Sequence, residues 1–97
     1  MLTVYDSNYM MVGQVEGNII TNSYMAEVGR IEGNAILNSY GSPVGYANGM
    51  YITDASGAPA GSTDGSTVFD NNYKIVGSVS GDYGLAAGGA ALLLLKW

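Results

Sequence analysis

Glycine recurs every 16 residues along this chain. Two series of five glycines keep that spacing without a gap, and together they hold ten of the 15 glycines: Gly13, Gly29, Gly45, Gly61, Gly77, and Gly17, Gly33, Gly49, Gly65, Gly81. An apolar series and an Asx series keep the same period: Val4, Ile20, Ile36, Ile52, Val68, and Asp6, Asn22, Asn38, Asp54, Asp70. Self-similarity at a fixed period indicates a repeat architecture. Residues 1–82 therefore form a region of five tandem repeats.

Each repeat has the pattern of a β-hairpin. Short β-branched runs alternate with Asx-led turns and with tight glycine turns such as Glu16-Gly17-Asn18. The two turns are too short for parallel crossovers, so the pattern favours an all-β antiparallel meander. A parallel β-solenoid with one coil per repeat is the alternative. Val12 and Val15 are three residues apart, which predicts a β-bulge at Gly13.

The repeat ends at Tyr83, and residues 83–97 form an apolar tail rich in alanine and leucine within the same domain. Its composition predicts a short helix that Asp82 caps. Because a helix that is apolar all round must be buried, it is expected to pack on the sheet or on a partner. The run is too short to cross a bilayer. The predicted interface consists of Leu92, Leu93, Leu94, Leu95 and Trp97.

Missing residue types restrict the chemistry. The 97 residues include neither cysteine nor histidine, and the net charge is −5. The usual catalytic base, the nucleophilic thiol and the common zinc ligands are therefore absent. Isolated turn carboxylates supply too few oxygens for calcium, and the negative charge disfavours nucleic acid. We expect no enzyme activity, no catalytic residues, no metal site and no cofactor.

The eight tyrosines give the alternative function. Tyr24 and Tyr40 share one column of neighbouring repeats, where they predict a face for stacking against glycans. The tyrosines scatter over several columns of the repeat, so ordinary strand and turn packing explains them better than a ligand-binding face does. The first functional prediction is a structural or interaction module that self-associates as a homo-oligomer through its sheet edge and its tail. The alternative is a module that binds glycan, cell wall or another protein.

The pieces Tyr5-Asp6-Ser7-Asn8 and Val12-Gly13 resemble the short Asx-turn and Tyr-Asp tandem β-repeats of bacterial surface and secreted proteins. The resemblance covers residues 1–82. It implies a repetitive bacterial β-scaffold and transfers no functional residue. The first residues lack a basic segment followed by an apolar core, so no signal peptide is expected. A cytoplasmic location is the default expectation, and a cell-surface location would require a removed leader.

Overall fold

The ten strands of this protein close into an antiparallel barrel around one α-helix. The computed structural model describes residues 1–95. The strands are β1 (Leu2–Asp6), β2 (Met11–Glu16), β3 (Ile19–Asn22), β4 (Glu27–Glu32), β5 (Ala35–Asn38), β6 (Pro43–Asn48), β7 (Tyr51–Asp54), β8 (Pro59–Thr63), β9 (Thr67–Asp70) and β10 (Ile75–Gly81). A 3₁₀ turn (Tyr83–Leu85) and helix α1 (Ala86–Leu94) follow. The five predicted hairpin repeats in an antiparallel meander are confirmed, and the solenoid alternative is excluded.

Ring closure is the part of the topology that the repeat pattern did not specify. Each strand pairs with its neighbours in sequence, and β1 pairs with β10, from Leu2 opposite Gly81 to Asp6 opposite Gly77. The described strands therefore have no unpaired edge. The prediction of self-association through a sheet edge is wrong for this reason, because closure pairs the two strands that an open meander would leave free.

The predicted bulge occurs in every repeat. Pairing between β1 and β2 runs from Val4 opposite Gly13 to Tyr5 opposite Met11, which leaves Val12 as the extra residue. The same shift recurs in the other four repeats. Val15 is buried, whereas Val12 is half-buried against the core. The bulge bends each strand at the same height, which helps the sheet to curve into a closed ring.

The barrel encloses helix α1. The interior of an eight-stranded barrel is just wide enough for its own side chains to fill, and the diameter grows with strand number. Ten strands therefore leave a wider space, and α1 occupies it with Ala86, Ala90 and Ala91 fully buried. Cβ atoms placed on Gly88 and Gly89 would overlap Ile31 and Leu2, so these glycines let the helix backbone approach the wall closely. The predicted burial of an all-round apolar helix against the sheet is confirmed.

Four consecutive leucines fit four glycines of the repeat. Four glycines of the first series face inward, and a Cβ atom placed on each would lie within 2.7 Å of a leucine methyl carbon of the tail. The pairs are Leu92 with Gly13, Leu93 with Gly77, Leu94 with Gly61, and Leu95 with Gly45. Successive leucines thus meet glycines of successive repeats around the ring. The repeated glycines of the barrel wall and the four leucines of the tail therefore pack against each other.

The end of β10 directs the chain into the barrel. The Asp82 carboxylate accepts a hydrogen bond of 3.0 Å from the N–H of Gly84, so it caps the 3₁₀ turn that precedes α1. Tyr83 lies against Gly65 at the same end of the barrel. The helix therefore enters at the glycine turns, and Leu92 to Leu95 lie near the Asx turns. None of the helices formed by residues 1–95 is both long and apolar enough to span a membrane.

Candidate functional site

Five Asx turns at one end of the barrel form a surface that we call the Asx rim. It comprises residues 6–10, 22–26, 38–42, 54–58 and 70–74. In the first turn, Oδ1 of Asp6 accepts hydrogen bonds from the N–H groups of Asn8 and Met10 at 2.8 and 3.0 Å. The other four turns repeat both bonds from their own Asx residue. The five loops therefore share one backbone and differ in the side chains that they present.

The fourth position of each Asx turn has a left-handed backbone. Glycine occupies it in two turns, as Gly41 and Gly57, whereas Tyr9, Met25 and Tyr73 occupy it with φ between 62 and 65°. This conformation costs an L-residue about 1–2 kcal/mol, because Cβ approaches the following carbonyl. Three turns of the rim therefore carry backbone strain that two others avoid.

Replacing Met25 with glycine is expected to stabilise the fold by about 0.5–1 kcal/mol, because relief of the left-handed strain exceeds the greater chain entropy of glycine. Thermal unfolding followed by circular dichroism measures the change. The reciprocal replacement, Gly57→Ala, should lower the midpoint. A lower midpoint for Met25→Gly would show that the Met25 side chain stabilises the fold by more than the left-handed backbone destabilises it.

Two turn carboxylates accept hydrogen bonds that lower their pKa. The hydroxyl of Ser56 donates to Asp54 at 2.6 Å and the N–H of Ala58 donates at 3.0 Å, and these bonds hold the pKa of Asp54 below its ordinary value of 3.8. The N–H groups of Thr67 and Ser66 lower the pKa of Asp64 in the same way. Both carboxylates therefore favour the folded state above the ordinary pKa, and that contribution is lost as the pH falls through the lowered values.

The double variant Asp54→Asn/Asp64→Asn is expected to lose less thermal stability between about pH 5 and pH 2 than the wild type. Asparagine keeps the accepting oxygen and does not titrate, and Asn22 and Asn38 already hold two turns of the rim in this way. Melting curves at several pH values measure the difference. An unchanged pH dependence would show that these two carboxylates do not couple folding to pH.

The structure places four of the five predicted interface residues inside the barrel. Leu95 is 7% exposed, and Leu92, Leu93 and Leu94 are half-buried against the core. Their apolar surface is therefore covered largely within one chain, which was the intramolecular alternative for the tail. Trp97 lies outside the described residues.

Tyr24 and Tyr40 project from neighbouring turns of the rim and are 88% and 91% exposed. They occupy equivalent positions in neighbouring repeats of the ring. Tyr40 also borders a shallow pocket with Glu27, Val28 and Asn38. The two rings are accessible to a ligand, but neither contributes to the groove described next.

The outer wall of the barrel carries a groove that crosses β7, β8 and the turn after β9. This first groove has a volume of about 320 Å³, which is within the range of small-ligand sites. Tyr51 and Tyr73 border it, and both side chains are more than 60% exposed. Its polar groups belong to Ser62, Asp70 and Asn71, and Pro59 completes the wall.

Hydrogen bonding in the first groove leaves polar atoms for a ligand. Oδ1 of Asp70 accepts from the N–H groups of Asn72 and Lys74 at 2.8 and 2.9 Å, which fixes the carboxylate. Within residues 1–95, the structure shows no hydrogen bond to Oδ2 of Asp70 or to the side chains of Asn71 and Ser62. The groove thus combines two aromatic rings with an oriented carboxylate, an amide and a hydroxyl.

A second depression lies at the mouth of the barrel within the Asx rim. Its volume is about 680 Å³, and Leu94 and Leu95 form its floor between Pro43 and Pro59. It lies directly beyond Leu95, where the described part of the chain ends, and we assign no ligand to it. Within residues 1–95, acidic side chains do not gather in groups of three that would suit a metal ion.

Comparison with known families agrees with the five-fold arrangement. The sequence model of the 5-fold beta-flower protein family matches residues 2–93, which is nearly the whole chain. The chain belongs to this family. The match supports the general resemblance to tandem β-repeats and does not extend to the Tyr-Asp repeat proteins. No curated protein and no solved structure matches the chain.

The sequence did not predict the first groove, because its residues come from different columns of the repeat. Tyr51 and Tyr73 are 22 residues apart in sequence, so a search for tyrosines one period apart does not pair them. The pairing of residues across two antiparallel hairpins could have predicted this groove. Tyr51 lies opposite Ser62, and the strand after Ser62 leads to Asp70.

Proposed function

We propose that this protein is a non-enzymatic carbohydrate-binding module and that the first groove is its principal site. The observation that supports this function is the pairing of two exposed tyrosines, Tyr51 and Tyr73, with the polar groups of Ser62, Asp70 and Asn71. A sugar ring has an apolar face of C–H groups and a rim of hydroxyls. Aromatic rings cover the first, and a carboxylate accepts strong hydrogen bonds from the second.

The scaffold is suited to such binding. A closed barrel filled by its own helix holds the loops on a rigid support, so little conformational entropy is lost when a ligand binds. Tyrosine, serine, asparagine and glycine recur in the rim loops, and binding loops in other proteins favour the same residues because tyrosine gives a large contact area at a low entropy cost. We therefore interpret the constant Asx and glycine positions as scaffold and the variable turn positions as the recognition surface.

Tyr73→Gly is the variant that tests this function most clearly. It is expected to reduce binding to immobilised glycans on an array at least about tenfold, which corresponds to about 1.4 kcal/mol, while raising the unfolding midpoint through relief of its left-handed strain. Loss of binding in a more stable protein cannot be attributed to misfolding. Met25→Gly is the matched control, because it relieves the same strain outside the groove.

The variants distinguish binding at the first groove from binding at Tyr24 and Tyr40. Binding lost in Tyr73→Gly and Tyr51→Ala but kept in Met25→Gly supports the first groove. Binding lost only in Tyr24→Ala or Tyr40→Ala would move the site to the rim tyrosines that the sequence predicted. An array on which the wild-type protein binds no glycan would contradict the function itself.

Self-association is a second candidate, and one observation favours it. The rim exposes Tyr9, Met10, Tyr24 and Met25 on neighbouring turns, and an exposed apolar patch of this kind is typical of an interface. The contact would then lie on the Asx rim, since α1, Leu95 and the edges of the described strands are used within the chain. Light scattering at micromolar concentration tests this, and a constant mass of 10.0 kDa would remove it.

A further inference from the structure

A second groove lies one repeat further around the barrel, at positions equivalent to those of the first. Thr67, Ile75 and Ser78 line it on β9 and β10. Asp6 lines it at the end of β1, and Ser7 and Tyr9 line it in the turn that follows. The first three lie 16 residues after Tyr51, Pro59 and Ser62 of the first groove. Because β10 pairs with β1, the first repeat follows the fifth around the ring. Asp6, Ser7 and Tyr9 are therefore equivalent to Asp70, Asn71 and Tyr73. Its volume is about 130 Å³.

The two grooves share the chemistry that supports carbohydrate binding. Each has a carboxylate fixed by two N–H groups, Asp70 or Asp6. Each also has a serine hydroxyl on the adjacent strand, Ser62 or Ser78. At the place of Tyr73 the second groove has Tyr9, whereas the other three repeats have Met25, Gly41 and Gly57 there. The combination of carboxylate, hydroxyl and tyrosine therefore occurs at two adjacent positions of the five around the ring.

The tyrosines at equivalent positions of the two grooves carry backbone strain, which Met25 shares outside them. Tyr9 and Tyr73 adopt φ values of 62 and 63°, at a position where Gly41 and Gly57 form the same turn. Strained residues persist where the surrounding structure holds them, and they are frequent at ligand sites. Gly41 and Gly57 form the same turn without a side chain, so glycine at positions 9 and 73 is compatible with the fold.

We infer that the second groove is a second carbohydrate subsite and that the two grooves bind separate sugars of one extended glycan. The inference rests on the proposed function. Sites one fifth of a turn apart on a barrel 29 Å wide are separated by about 17 Å, a span suited to a chain of several sugars rather than to one. The second subsite is the weaker, because Thr67 replaces Tyr51 and removes one of the two aromatic walls.

The test compares Tyr9→Gly, Tyr73→Gly and the control Met25→Gly in the full chain. The probes are arrayed glycans, each as the single terminal sugar and as a long polymer of the same sugar. Two linked sites raise the affinity for a polymer well above that for one sugar. We expect Tyr73→Gly to weaken binding of both probes. Tyr9→Gly should weaken polymer binding at least about tenfold and change single-sugar binding less than twofold.

Each result distinguishes the second subsite from the function on which it rests. If Tyr9→Gly binds the polymer as well as Met25→Gly does, while Tyr73→Gly loses it, the first groove binds carbohydrate alone and the second subsite is wrong. If the wild type binds none of the probes, the proposed function is wrong as well. Because Tyr9→Gly relieves strain, a rise in its melting temperature shows that any lost binding is not lost folding.

Discussion

Replacing Gly77 with alanine is expected to destabilise the barrel by about 3 kcal/mol or more. A Cβ atom at this position would lie 2.6 Å from Cδ1 of Leu93 and closer still to the carbonyl oxygen of Tyr5. A flexible leucine can move, but the Tyr5 carbonyl belongs to the strand pair that closes the ring. Overpacking of this kind costs about 1–3 kcal/mol where side chains alone must adjust, and here the backbone of β1 must also shift.

Denaturant unfolding of Gly77→Ala gives the free energy directly. Gly33→Ala is the matched control, since it changes a glycine of the same repeat pattern with φ at +61° and no atom within 4 Å of the added Cβ. Its cost is expected near 1 kcal/mol, from the backbone conformation alone. Equal costs at the two positions would mean that the close contacts of position 77 do not require a glycine there.

Deleting residues 83–97 is expected to abolish cooperative folding rather than to change the oligomeric state. The deletion removes α1, whose buried alanines fill the space inside the strands. The inward side chains of the barrel, such as Ile20, Ile36 and Ile52, would then face a water-filled space. Small domains have only about 5–15 kcal/mol of stability, and loss of the central element of the core exceeds that margin.

Loss of the thermal transition and of dispersed amide resonances would show this effect. A single substitution tests the same packing in the full chain: Leu95→Ala should cost about 2–5 kcal/mol, as expected for a buried leucine. If the truncated chain kept a cooperative transition, or if Leu95→Ala cost less than about 1 kcal/mol, the helix would not be part of the core.

Much of the fold could be predicted from the repeat. The glycine and Asx columns gave the hairpins, the turns and the bulge, because each depends on local backbone chemistry. The all-round apolar composition of the tail gave a buried helix. The repeat did not give ring closure, since the pairing of Leu2 with Gly81 joins the two ends of the repeat region. Without closure, the position of the helix inside the strands could not be derived.

Ring closure also explains why the sequence predicted less of the candidate site than of the fold. Tyr9 and Tyr73 are four periods apart along the chain, yet closure makes their repeats neighbours. Tyr51 joins Tyr73 across two hairpins, which a comparison of columns does not detect. The tyrosines predicted for stacking, Tyr24 and Tyr40, are exposed as that role requires, but their side chains do not share a groove with a fixed carboxylate.

Hydrogen exchange of the helix amides tests the arrangement of a barrel closed around its own tail most directly. The amides of Ala90 and Ala91 lie in the fully buried part of α1. We expect them to exchange only through global unfolding, with the same free energy as the slowest amides of the central strands. Exchange of these two amides through local opening, while the strands stayed protected, would show that the helix leaves the barrel and would contradict this arrangement.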